Sequence, residues 1–352
     1  MLKLKLTLGL FAALLISEQI HGESLDELFT QDPLGPGCVV GYARDGKIEY
    51  LQGFGIANLE HGIPITPTTR FHIASISKEL TGAAIGMLIL EGKLTLDDDV
   101  RSVLPEVPEF EHPITIRHLL HHSSGLANHT RLMPVNNMDY GNAYTQQEML
   151  DLVFAEGLAF KPGTKFEYGA SYLLLGKVVE RLTDLPLREY LKTQIFEPLG
   201  MKSSGLHDDF SLIPNRAEGY LDKDGIWIND RVRYGLTGSG GVHMTISDLL
   251  LWNHASRNDL LVEGLAELLY ESPAISVTED LEYHFGFTRT TYQDERATVH
   301  SGSYQGTRTL LYAFEPGYAT AVSCNHRADV RAMTVALRDK IVGMADGDVS
   351  ED

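Results

Sequence analysis

The 352-residue chain reads as an α+β fold: an antiparallel sheet built from both termini and flanked by helices, with a mainly helical second lobe between them. Three observations predict this. Strand-like segments occur near the start of the chain and again after about residue 282, helical periodicity and turns dominate from about Leu94 to Tyr234, and no repeat or low-complexity linker separates the two patterns. The expected division is residues 23–93 with 235–345 as an α/β lobe, 94–234 as the helical lobe and 346–352 as an acidic tail. A cleft between interlocked lobes is the natural place for a site.

Taken in order, Cys38–Tyr42, Asp45-Gly46 and Lys47–Gln52 form a hairpin pattern, two short strands around a Gly-containing turn. After a loop with Pro64 and Pro67, an apolar helix is expected over Ser75–Glu91, stopping near Gly92. Met149–Phe154, Leu173–Leu182 and Leu187–Phe196 read as helices, with Pro134–Gly141 and Pro162-Gly163 as loops. Ser247–Ala255 is a further helix capped by Ser247 or Thr245. Strands follow at Phe285–Tyr292, Ala297–His300, Thr307–Phe314 and Tyr318–Cys324, the last two joined by the turn Glu315-Pro316-Gly317, and a helix over about Arg331–Met344 closes the chain.

Composition bounds the address and the partners. Lys3 and Lys5, the apolar run Leu6–Ile16 and the polar stretch Ser17–Glu23 have the order of a secretory signal, with Gly22 as the expected last residue removed. The run is shorter than the roughly 20 residues of a membrane span, although an uncleaved anchor is the other reading, and no cysteine follows it to carry a lipid. A periplasmic or secreted protein with no membrane association after cleavage is therefore expected. The formal charge of −19 argues against nucleic acid and anionic membranes as partners. Two cysteines, Cys38 and Cys324, are too few for a disulfide scaffold or a cysteine metal site.

Three features point to acyl transfer. Ser75-Ile76-Ser77-Lys78 places a hydroxyl and an amine one helical turn apart at the head of a buried helix, where desolvation can lower the amine's pKa enough for it to take the serine proton. Tyr168 follows the Pro162-Gly163 turn; it becomes a base only beside a cation, and Lys78 is the candidate. His300-Ser301-Gly302-Ser303 reads as a strand edge whose missing side chain at Gly302 admits a substrate, with a backbone N–H beyond it to bind an oxyanion. His118, His121 and His122 are clustered, but no carboxylate at ligand spacing completes a zinc set, so neither metal nor cofactor is expected. Arg308 is a weaker candidate for meeting a substrate carboxylate.

The segments Phe71–Lys78, Ile114–Leu126, Ile195–Met201 and Gly238–Gly241 fall in the order found in serine β-lactamase and penicillin-binding-protein-like hydrolases. The chain resembles the class C branch of that family, which also holds esterases, D-aminopeptidases and DD-peptidases, over about Gly35 to Val342. The resemblance implies a β-lactamase/transpeptidase-like fold, Ser75 as the acylated nucleophile, Lys78 as the amine relaying its proton and Tyr168 as base or proton shuttle. It further implies His300-Ser301-Gly302 as the H-x-G form of the K-T-G strand motif and an oxyanion hole from the N–H groups of Ser75 and Ser303. Small-molecule or peptide-like acyl compounds are the implied substrates.

Two departures shape the substrate expectation. The family's Y-x-N places Asn two residues after the tyrosine, where it contacts the lysine and a substrate amide; here Tyr168 is followed by Gly169, Ala170 and Ser171, with Ser171 a partial substitute. Penicillin-recognising members carry Lys where this chain has His300, and a neutral imidazole holds a carboxylate less well, which favours esters or other acyl compounds over β-lactams. A catalytically weak or inactive module that binds cell-wall material on the same fold is the alternative. In this family's sheet Cys38 and Cys324 fall on neighbouring strands, and two separate buried thiols are expected because cross-strand bridging is geometrically demanding.

Overall fold

The structure is a computed structural model that describes residues 29, 32–138, 142, 144–208, 211–231, 236–315 and 317–347. The apolar run Leu6–Ile16 and most of the acidic tail lie outside the described residues. Eight antiparallel strands form the main sheet in the order Ile275–Thr278, Leu281–Tyr283, Thr288–Tyr292, Glu295–Tyr304, Thr307–Phe314, Tyr318–Cys324, Cys38–Arg44, Lys47–Phe54. The two ends of the chain therefore meet in mid-sheet. Tyr318–Cys324 is buried at every residue because both its faces are covered, by Val330–Gly347 on one side and Ile246–Arg257 on the other. Strands buried on both faces lose the alternating pattern and read as near-continuous apolar runs.

Pairing register brings Cys38 directly opposite Cys324, with Cα atoms 4.0 Å apart, and the two form a disulfide. The expectation of separate thiols is corrected: the register puts both side chains on the same face of adjacent strands, which sequence separation alone does not reveal. Their surroundings are a second hydrophobic cluster with Val40, Tyr42, Tyr312, Phe314, Leu337 and Ile341, between the sheet and the last helix.

On the opposite face of the sheet the main core packs around the helix Ser77–Leu90, in which every residue up to Leu88 is buried. A helix that is apolar all round belongs inside. Helix Ser171–Thr183 packs against it, and Ile116–Leu120 packs on Ser171–Thr183 in turn. Near the head of Ser77–Leu90 the turn at Gly286, φ +101°, approaches so closely that a Cβ there would lie 2.5 Å from the Lys78 carbonyl. That contact holds the first helical turn against the sheet.

Several boundaries differ from expectation for local reasons. The strand expected over Phe285–Tyr292 starts only at Thr288, because Gly286 turns the chain and the His284 N–H closes on the Phe287 carbonyl. A helix, His129–Val135, runs through Pro134 where a loop was expected to begin; Asn128 caps its start. The segment Leu187–Phe196 divides into an α-helix to Leu191 and a π-helical turn beyond it. Within the expected helical stretch lies a hairpin, Tyr220–Lys223 with Ile226–Asn229, whose second strand is wholly exposed. A three-stranded sheet joins Phe71–His72, Val242–Met244 and Gly205–Leu206 just ahead of Ser75. Among the described residues, no helix is long and apolar enough to cross a membrane.

Candidate active site

Ser75 lies in a single 3₁₀ turn, Ala74–Ile76, that feeds the helix Ser77–Leu90. Ala74 adopts φ +49°, a left-handed conformation that costs a non-glycine residue about 1–3 kcal/mol and is tolerated where surrounding structure imposes it. The imposing element is the strand Glu295–Tyr304. A Cβ on Gly302 would stand 2.1 Å from the Ile73 carbonyl oxygen, so only glycine lets the strand lie against the nucleophile turn. Pairing with Thr288–Tyr292 stops at Val299, which leaves residues 300–304 without a partner strand on that side among the described residues. Ser303 and Tyr304 at this free edge line a cavity of about 290 Å³.

Ser75, Lys78 and Tyr168 line the same cavity. Lys78 Nζ donates to Ser75 Oγ at 3.2 Å and to the Ser239 carbonyl at 2.8 Å. The Ser239 loop is held to the same helix by Thr81 Oγ1, which donates to the Gly238 carbonyl, and by Ser77 Oγ, which accepts the Val242 N–H. Ser77, Lys78 and Thr81 share one helix face, so a single face positions both amine and loop. Lys78 is buried, and desolvation brings its pKa from 10.5 down to about 7. Its Nζ lies 4.8 Å from the centre of the Tyr168 ring.

Burial pushes the Tyr168 pKa well above 10, and the neighbouring Ser75 hydroxyl offsets only part of that rise. Its phenol keeps the proton at neutral pH. Behind it the His122 ring packs at 4.3 Å, while His122 Nδ1 accepts the Gly169 N–H. That bond makes Nδ1 the unprotonated nitrogen and leaves the ring neutral.

The remaining candidates fall elsewhere. His300 does not line the cavity: its Nδ1 pairs with the Ser301 carbonyl, its Nε2 faces Tyr283 Oη at 3.5 Å, and burial lowers its pKa to about 3. Gly302 acts through backbone approach, as described. Ser171 is no stand-in for the absent Asn, because it is buried and its Oγ pairs with Ser124 Oγ at 3.0 Å. Arg308 braces the turn at the strand end by donating to the Tyr304 and Thr307 carbonyls. His118 Nδ1 accepts the Thr115 N–H in a capping box.

Sequence reasoning missed the Ser239 carbonyl and His72, which lines the cavity together with Asn128, His129 and His207. Ser239 stood within the Gly238–Gly241 stretch, whose end glycines have φ of +86° and +92°; the irregular loop was the available signal. His72 and His129 are uncharged at neutral pH, their pKa values lowered by burial to about 3 and about 4. Lys78 is thus the sole Lys, Arg, Asp or Glu among the described residues lining the cavity.

A serine hydroxyl held by a desolvated amine, in an otherwise uncharged cavity beside a free strand edge, defines a class of protein, the serine hydrolases. Residues 25–340 match the Beta-lactamase family, and the chain belongs to that family as a serine hydrolase of the β-lactamase fold. It is 25% identical to the D-aminopeptidase of Gluconobacter oxydans (strain 621H) over 326 residues, which is 88% of this chain and 59% of that one. It is 33% identical to Esterase EstB of Burkholderia gladioli over 183 residues, 48% of this chain and 46% of the relative. These matches span about half to three fifths of those relatives' lengths. The solved structure of the octameric penicillin-binding protein homologue from Pyrococcus abyssi superposes with a TM-score of 0.78 at 28% identity, covering 93% of this chain and 76% of that one.

Proposed function

We propose that the protein hydrolyses ester or amide bonds through an acyl-enzyme on Ser75, with esters and other uncharged acyl compounds preferred over β-lactams. The observation that carries this reading is the Lys78 Nζ to Ser75 Oγ hydrogen bond of 3.2 Å on an amine whose pKa is brought to about 7. In the reaction, neutral Lys78 takes the Ser75 proton as Oγ attacks the substrate carbonyl carbon. The tetrahedral oxyanion is bound by the N–H groups of Ser75 and Ser303. Tyr168, still protonated, relays a proton to the departing alcohol or amine as the carbon–leaving-group bond breaks. Water then attacks the acyl carbon, gives its proton to the same relay and releases the carboxylic acid with Ser75 restored.

The substrate preference follows from charge. A cavity whose one lysine serves as the neutral base, and from which His300 is turned away into the protein, offers little to hold a substrate carboxylate. The names of two relatives, a D-aminopeptidase and an esterase, agree with amide and ester chemistry. A serine-directed acylating probe tests the reading: label is expected on Ser75 and absent from Ser75→Ala, and equal labelling of both proteins would sink it. Assayed side by side, short-chain esters are expected to turn over faster than a β-lactam.

The same proposal places the protein outside the cytosol. Support comes from the Lys3 and Lys5 flank of the apolar run and from the Cys38–Cys324 bridge, since disulfides persist in oxidising compartments. Intact-mass measurement of the protein from its native host is expected to show loss of residues 1–22.

A further inference from the structure

A second cavity, of about 960 Å³, lies between the last helix, Val330–Gly347, and the exposed hairpin Tyr220–Asn229. Cys38 and His326 both line it, and Cys324 is buried behind them. The Sγ atoms of Cys38 and Cys324 and a ring nitrogen of His326 lie within 4.8 Å of one another. Around a tetrahedral zinc ion, with Zn–S of about 2.3 Å and Zn–N of about 2.0 Å, donor atoms stand roughly 3.5–3.8 Å apart. Once the two sulfurs are not bonded to each other, side-chain rotation suffices to set the three donors around one ion. Two cysteines alone make no metal site; His326, two residues after Cys324, supplies the third donor.

The backbone around these donors is held by contacts that do not depend on the bridge. Asn325, fully buried, accepts the Gly37 N–H at Oδ1, 2.8 Å away, while its own N–H donates to the Gly37 carbonyl at 3.0 Å. Gly37 precedes Cys38 and Asn325 follows Cys324, so this reciprocal pair clamps the two cysteine strands together. Asn325 Nδ2 donates to the Ile56 carbonyl at 2.9 Å, and the Asn325 carbonyl accepts the Tyr220 N–H at 2.9 Å, which ties in the hairpin. From that hairpin Trp227 meets the His326 ring edge-on, with centroids 5.8 Å apart. The approach to the donors is acidic: Asp32, Asp222 and Asp329 line the cavity, and Arg327, the one Lys or Arg among the described residues lining it, faces Asp230 at 3.7 Å. A hydrated cation therefore has an entry path of matching charge.

From this arrangement we infer that Cys38, Cys324 and His326 form a zinc site in the reduced chain, with the fourth coordination position open to the cavity for water or a carboxylate. Two thiolates and an imidazole are a donor set suited to Zn²⁺. The ion and the bridge are alternatives, because the ligand is a thiolate and a disulfide sulfur carries no charge. A newly synthesised chain holds both thiols and binds the ion before oxidation. Opening an existing bridge takes a thiol or phosphine reductant: it supplies two electrons, the Sγ–Sγ bond breaks, the sulfurs take up two protons, and those protons pass to solvent as Zn²⁺ binds. Bound zinc keeps the sulfurs apart and so delays the bridge. The inference stands apart from the acyl-enzyme reading, since the site lies across the sheet from the helix that follows Ser75.

The test uses the full chain, reduced with a phosphine and freed of reductant under nitrogen, and titrates it with Co²⁺ as a spectroscopic stand-in for Zn²⁺. The reduced protein is expected to develop a thiolate-to-cobalt charge-transfer band that saturates at one equivalent and is displaced by Zn²⁺; the oxidised protein is expected to show none. That band reports thiolate ligation only, so cobalt held by histidines elsewhere does not contribute. His326→Ala keeps both thiols and is expected to bind Zn²⁺ about a hundredfold more weakly, at the upper end of what loss of an outer-shell partner costs. In a second measurement, Zn²⁺ is expected to slow reoxidation of the thiols by diamide in the wild-type protein and to leave the rate in His326→Ala nearly unchanged. Absence of the band from the reduced wild-type protein, whether or not reduction preserves its fold, overturns the site. Equal zinc affinity in wild type and His326→Ala, or equal zinc protection of their thiols, overturns the role of His326 and the three-donor site with it.

Discussion

Lys78 and Glu79 are neighbours in sequence, lie in the same helical turn and are both buried, yet they serve opposite sides of that helix. Lys78 faces the cavity, where its ammonium meets Ser75 Oγ and the Ser239 carbonyl. Glu79 faces the core, where its carboxyl accepts the Trp252 Nε1–H at 3.0 Å. Desolvation acts on both, bringing the lysine down to about 7 and the carboxyl up to about 7. Burial disfavours whichever form is charged, so it moves acid and base toward each other. The difference lies in access: the amine has a nucleophile beside it and a cavity in front of it, whereas the carboxyl has an indole. Perturbation of a pKa marks a functional group only where geometry supplies something to react with.

The largest effect expected is on activity at the cavity side. Lys78→Met removes the proton acceptor, and kcat/KM for a p-nitrophenyl ester is expected to fall by about a thousandfold. The same variant is expected to gain about 1–3 kcal/mol in denaturant unfolding at neutral pH, because folding no longer has to desolvate an amine whose pKa falls from 10.5 to about 7. Loss of activity with no gain in stability would show that Lys78 is less desolvated than its surroundings indicate. Next in size, Tyr168→Phe is expected to lower kcat by about a hundredfold while KM stays within a few-fold, the signature of a lost proton relay.

The pH profiles separate the two residues further. Activity of the wild-type protein is expected to rise with pH through about 7, since the reactive form of Lys78 is the amine. For stability the signs are opposite. The Glu79 pKa is raised from 4.5 to about 7, so its contribution is complete below 4.5 and declines as pH rises to about 7. The Lys78 pKa is lowered from 10.5 to about 7, so the unfolded chain binds more protons above 7 and stability rises from there toward 10.5. Glu79→Gln is expected to abolish the first slope, gaining about 1 kcal/mol at pH 8, where an uncharged amide oxygen still accepts from Trp252. Lys78→Met is expected to abolish the second. The smallest effect expected is that of Trp252→Phe, a loss of about 1 kcal/mol in stability with kcat/KM unchanged; a tenfold drop in activity would show that the core side of the helix also tunes the cavity.

Much of the fold was legible because its signals are local. The buried helix after Ser75 announced itself through an unbroken apolar run, and the terminal strands through short apolar segments around Gly-containing turns. Less legible were features that depend on which elements meet. The hairpin Tyr220–Asn229 carries apolar side chains on exposed positions, Ile226 and Ile228 among them, so no alternating pattern marked it. The edge strands Ile275–Thr278 and Leu281–Tyr283 are too short to stand out. Among the site residues, Ser75, Lys78, Tyr168 and Ser303 reach one cavity, whereas His300, adjacent to Ser301 in sequence, turns its ring inward to Tyr283.

The sequence by itself determined the spacing of Ser75 and Lys78, because one helical turn is a property of the backbone and three residues always span it. It likewise determined that their helix would be buried, since no face of it is polar enough to meet water. The tertiary structure alone decided what closes around that pair: the Ser239 carbonyl that holds the amine, the desolvation that lowers its pKa, the register that joins Cys38 to Cys324 and the loop that brings Asn128 to the cavity. Each of these depends on contacts between segments far apart in the chain. Such contacts are set by packing, which local sequence pattern does not encode.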